Sequence, residues 1–154
     1  MRRTAESKVS LKMTWYPDLS PYVYWLGVSG AGHEPPSDAL NVGWLDGSQP
    51  FPTGDPAPAF VERLLYLCVR RRENLTRGWH LCQMCPRGAD LDVHGLDDPA
   101  SVTLDGEPHF VGDGEIHVPA LGATYFAPNL IIHYVTEHRY APPEAFVAAV
   151  LAQT

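Results

Sequence analysis

The sequence predicts an α+β domain: a small antiparallel sheet or meander, one central helix and a C-terminal helical hairpin. Three observations predict it. Phe60, Val61, Leu64, Leu65, Leu67 and Cys68 recur at spacings of three and four, the period of a helix that buries one face. Short β-type runs between 101 and 128 are broken by Asp-Gly and other glycine signals, the mark of hairpins. Two apolar segments, each opened by proline, then close the chain as successive helices.

In chain order, residues 1–14 read as a loose segment ahead of a single domain over 15–154. "WYPDLSPYVYWLG" (15–27) is aromatic with two prolines, an irregular lead into a strand at about 22–27. "SGAGHEPPSD" (29–38) is a loop by its Gly, Pro and Ser content, and "ALNVGWLDG" (39–47) a strand ending in an Asp-Gly turn. After a second proline-rich loop comes the helix over "PAFVERLLYLCVRRREN" (58–74), with Cys68 on its core face. Its basic run, Arg70 to Arg72, suits the negative end of the helix dipole.

"GWHLC" (78–82) reads as a short strand, and "ADLDVHGLDDPAS" (89–101) as an acidic loop. The meander follows through "SVTLDG", "HFVGDG", "EIHVPALG" and "TYFAP", with turns at Asp105-Gly106 and Asp113-Gly114. "PNLIIHYVTEHRY" (128–140) enters its helix through Pro128 with a cap near Asn129, and "PPEAFVAAVLAQ" (142–153) forms the last helix.

The net charge is −7 and only 11 residues are Lys or Arg, which argues against nucleic acid, whose phosphates need a basic patch. No apolar stretch approaches the roughly 20 residues of a membrane-spanning helix. The basic start, "MRRTAESKVSLKM", has no apolar core, so it does not read as a secretory signal. Three cysteines, an odd number, without an export signal point to a reducing cytoplasm rather than a disulfide framework.

In that setting "RGWHLCQMCPRG" (77–88) carries the chemistry. Cys82-x-x-Cys85 followed by Pro86 and Gly88 has the form of a zinc knuckle, in which a tight turn brings two thiolates to one ion. A redox pair is less suited, because such a pair belongs between a strand and a long helix; two buried thiols are the remaining alternative. A tetrahedron needs two further ligands, and His80, His94, His117, His133 and His138 qualify by type. On an ideal helix, residues five apart point about 140° from each other, so His133 and His138 cannot both face one ion unless the helix frays. His133 and His80 are therefore the favoured nitrogens, with His138 in reserve. One zinc per chain is expected.

Three ligands and an open position would instead make a catalytic zinc, with Glu115 or Glu137 as general base. Glu115 stands just after a turn, where a working carboxylate or a plain solvent-facing strand residue both fit. Zinc deaminase, H-E-x-x-H, G-x-S-x-G, Walker and dinucleotide signatures are absent.

"NVGWLDGSQPFPTG" (41–54), R-G-x-H-x-C-x-x-C (77–85) and Y-x-A-P-x-L-I-x-H-Y-x-x-x-H-x-Y-x-P-P (125–143) resemble a family of small uncharacterised bacterial proteins of actinomycete type. The resemblance implies one intact domain and bacterial origin, and no reaction. The expectation is thus a cytoplasmic domain with a structural zinc. It would present an aromatic surface around Trp15, Tyr22, Trp25 and Trp44 to a protein partner or small molecule. A hydrolase-type zinc enzyme and an acidic immunity-like or regulatory binding module are the alternatives.

Overall fold

The computed structural model describes residues 15–23, 35–76, 79–85 and 99–154. The expected strand over 22–27 falls mostly outside them, as do Trp25 and His94. The described elements run β1 (Ala39–Asn41), α1 (Pro58–Arg70), β2 (Ser101–Leu104), β3 (Glu107–Phe110), β4 (Glu115–Ala120), β5 (Ala123–Pro128), α2 (Ile131–Glu137) and α3 (Glu144–Leu151). The class is α+β.

The expected meander is divided between two sheets. β2 and β3 form one hairpin, turned at Asp105 and Gly106, both with positive φ. β4 and β5 form the other, turned at Leu121-Gly122, and β1 joins it in parallel on the far side of β5. The sheet order is therefore β1-β5-β4, with the most buried strand in the middle. Asp113-Gly114, expected as a hairpin turn, is a bend whose backbone bonds to other segments: Thr76 N–H donates to the Asp113 carbonyl and Asn129 N–H to that of Gly114.

Successive strand residues alternate between faces. Ile116, Val118, Tyr125 and Ala127 enter the main core with Phe60, Leu64, Ile131 and Phe146. The other face carries a smaller cluster of Tyr22, Ala39 and Phe126, with Trp44 packed against it. α1 has Pro58 in its first turn and buries Phe60, Leu64, Leu67 and Cys68, its spacing-defined face. It ends at Arg70, four residues before the expected end. Glu73 instead exchanges backbone hydrogen bonds with Glu115 in an antiparallel bridge. Both α2 and α3 pack on α1.

Two sequence expectations are corrected here. Residues 79–82 form no strand, and His80 N–H to the Gly112 carbonyl, 2.7 Å, holds them to the body. That approach needs Gly112: its φ is +113°, and a Cβ there would lie 2.4 Å from the His80 carbonyl oxygen. Asn129 does not cap α2, whose flanking residue is Leu130 with no side-chain cap. Its fully buried amide instead accepts from Gly112 and Gly114 N–H and donates to Asp113 Oδ1 and the Cys68 carbonyl.

Candidate metal centre

Two cysteines and two histidines from separate parts of the chain converge beside α2. The ligand-type atoms of Cys82, Cys85, His133 and His138 all lie within 4.8 Å of one another. Cys85 Sγ is 3.2 Å from His133 Nε2 and 3.4 Å from His138 Nε2, and Cys82 Sγ is 3.3 Å from His138 Nε2. Sulfur and nitrogen at ordinary zinc bond lengths on a tetrahedron sit about 3.5 Å apart, so these separations are within a few tenths of an ångström of that shape.

His133 and His138 meet through the exception that helix geometry allows, an early end to the helix. α2 ends at Glu137, and His138 has left it at φ −117°, ψ 6°. Arg139 follows at φ 56°, and the N–H groups of His138 and Tyr140 both bond to the Tyr134 carbonyl. This tight exit swings His138 back toward the side on which His133 lies, and the two rings stand 5.1 Å apart, edge to face.

His80 is not in the cluster. It is exposed, and its described tie is the backbone bond to Gly112. Glu137 is exposed at the end of α2, where its charge acts on His133 and Cys85.

Electrostatics favour the neutral form of Cys85 and of His133. Burial pushes the Cys85 thiol up from its ordinary value, and the neighbouring Cys82 adds to the effect. Burial pulls His133 down, with His138 contributing in the same direction. A neutral imidazole is the ligand form of histidine, and a divalent cation among the four would reverse the cost of ionising the thiols. The four facing atoms are all electron-pair donors, so the donor set fits a metal ion.

A second polar network lies on the far face of β4, and it includes residues that the spacing arguments did not single out. Glu115, only 4% exposed, is not the solvent-facing residue that one sequence reading allowed. Tyr22 hydroxyl lies 2.9 Å from both of its carboxylate oxygens. Asn74 Nδ2 donates to Oε1, which is also 3.2 Å from His117 Nε2. His117 Nδ1 reaches Glu73 at 2.5 Å, and its ring stacks on Phe126 at 3.9 Å. Glu115 and His117 share a face because they are two apart on one strand. Tyr22 arrives through its backbone bond to Ala39, at the free side of β1. Glu73 and Asn74 carry no sequence signal, because they read as the tail of a helix.

Fold and cluster together define a small α+β domain with a Cys2His2 centre able to hold a metal ion. The chain belongs to the family DUF7919, a domain of unknown function, whose model matches residues 14–151. No curated protein and no solved structure matches the chain. No helix among the described residues is long and apolar enough to cross a membrane.

Proposed function

We propose that this is a cytoplasmic bacterial zinc-binding domain. One Zn²⁺ per chain, held by Cys82, Cys85, His133 and His138, would be structural and would brace a binding cleft. The observation that carries the reading is the convergence of two thiols and two imidazoles within 4.8 Å. Soft sulfur ligands with imidazole in a tetrahedral set select zinc over calcium or magnesium, which prefer oxygen. Two thiolates also balance the charge of the ion.

Four protein ligands leave no open position for a water, which favours a structural over a hydrolytic role. The cross-link would join the 79–85 segment to α2 and the turn behind it, between Cys85 and His133, 48 positions apart in the chain. Met84, on the same segment, packs on the main core, and Gly47 lies against Met84 and the Gln83 carbonyl. Releasing the ion would loosen the loop that leads to Trp44 and Leu45.

The test is metal content by plasma mass spectrometry on untagged protein, with Cys82→Ser and Cys85→Ser alongside. One zinc per chain, lost in both variants with a fall in melting temperature of roughly 8–16 °C, is expected if the ion contributes about 4 kcal/mol. Zinc lost with the melting temperature unchanged would turn the reading toward an enzyme. Freshly prepared, reduced protein without any metal would overturn it.

A further inference from the structure

One described cleft borders the network on β4. It encloses about 60 Å³ and is lined mainly by Trp44, Leu45, Asn74, Glu115, Leu130 and Tyr134. Asn74 and Glu115 belong to the network on β4. Tyr134 is next in the chain to His133 of the cysteine–histidine cluster. The walls are mostly apolar. Among the described lining residues Glu115 is the one carboxylate, His80 is the one imidazole, and neither Lys nor Arg is present.

The carboxylate is not saturated. Each of its oxygens takes about two donors. Oε1 has Asn74 and His117, and the single Tyr22 proton stands between Oε1 and Oε2 at 2.9 Å from each. Oε2 thus retains room for one more N–H. The charge is not cancelled either. His117 is shared with Glu73, so two carboxylates and one imidazole sum to −1 even with the ring protonated.

We propose that this cleft binds a small organic cation, a primary ammonium or guanidinium on a short apolar body. Its N–H would donate to Glu115 Oε2, and the body would lie among Trp44, Leu45 and Leu130. A charge-assisted bond out of water is stronger than one in it, and an indole beside a cation adds attraction. The cleft's small volume admits such a head group with a few carbons. The acidic chain, at −7, draws cations toward it. The assignment rests on the reading of a metal-braced binding cleft and names what that cleft takes.

Isothermal titration of the full chain tests it, with n-butylammonium and methylguanidinium as probes and butyrate and n-butanol as controls. Metal content is measured on the same sample. The cations are expected to bind, and the controls to bind at least about tenfold more weakly. Glu115→Gln should weaken the cations about tenfold or more with the metal retained. Thr76→Trp, an exposed rim position apart from the Glu115 bonds, should block them while Glu115 is intact. This second variant carries the test if the first does not fold.

Equal binding of butyrate or butanol, unchanged binding by both variants, or no binding by protein that carries its metal would overturn the assignment. So would binding of a lysine tripeptide without the free amines, which would move the occupant to a protein side chain. Amine binding by folded, metal-free protein would uphold the cleft and defeat the metal reading alone.

Discussion

The cysteine–histidine cluster and the Glu115 network both join distant segments through polar side chains, but they close differently. Around Glu115, donors meet acceptors: a hydroxyl, an amide and an imidazole surround one carboxylate. That network is mostly complete with the chain's own atoms. At Cys82, Cys85, His133 and His138, the facing atoms are all electron-pair donors, and only protons or a cation can hold them together. The difference separates a site able to hold a metal from one that orients a carboxylate.

The largest effect should therefore divide the histidines. His133→Ala removes a candidate ligand from a buried position, and it should lose the metal and melt nearly as low as the cysteine variants. His80→Ala should keep one metal per chain and shift stability by no more than about 0.5 kcal/mol, as at other exposed positions. Mass spectrometry and thermal melts on the two proteins read this directly. Metal lost from the His80 variant but kept by the His133 variant would break the comparison at its root.

Next comes the buried amide of Asn129, which ties the bend before Glu115 to α1. Asn129 bonds the bend at 112–114 on one side and the Cys68 carbonyl on α1 on the other. Asn129→Ala leaves several buried backbone groups without partners. It should cost roughly 3 kcal/mol, or about 6–12 °C in melting temperature. Chemical denaturation checks it, and a cost under about 1 kcal/mol would mean that water replaces the amide.

Much of the fold was legible, and the reasons differ by element. α1 showed itself because a one-sided helix must repeat its apolar residues every three or four positions. Asp105-Gly106 showed itself because a tight hairpin needs positive φ, which this pair tolerates. The parallel contact of β1 with β5 was not legible, since nothing in a three-residue strand names a partner more than eighty residues away. His138 stood only in reserve because helical spacing does not hold beyond the end of the helix. The exit at Arg139 has no glycine to announce it. Glu73, Asn74 and Tyr22 meet Glu115 only through tertiary pairing, so no local pattern carries them.

A smaller effect separates buried from exposed titrating groups. Burial holds the Cys68 thiol above its ordinary 9.0, and burial, then the Asp18 carboxylate, holds Tyr140 above 10.0. Both folded values are raised, so this stability is whole below the unfolded values. Above pH 9 and then 10 the unfolded chain releases protons first, and stability falls with each step. Urea midpoints between pH 7 and 11 should decline in that order. Tyr140→Phe should shrink the second step, which the buried Tyr134 shares, and cost about 1 kcal/mol at neutral pH, because Asp18 Oδ2 loses its donor. A flat midpoint up to pH 11 would contradict the burial of these groups.

The smallest effect has the opposite sign and tests the turn beside the candidate metal centre. Arg139 sits in the left-handed region at φ 56°, which costs a non-glycine residue about 1–2 kcal/mol. Glycine removes that cost but loses about 0.5–1 kcal/mol more chain entropy on folding. The ion pair it gives up, to Asp55 at 2.9 Å, is 62% and 90% exposed and so contributes little. Arg139→Gly should therefore leave the metal in place and raise the melting temperature by about 1–2 °C. If the variant loses metal instead, the arginine side chain rather than the backbone turn holds His138 within reach. The convergence of the two histidines would then depend on a surface contact, not on how α2 ends.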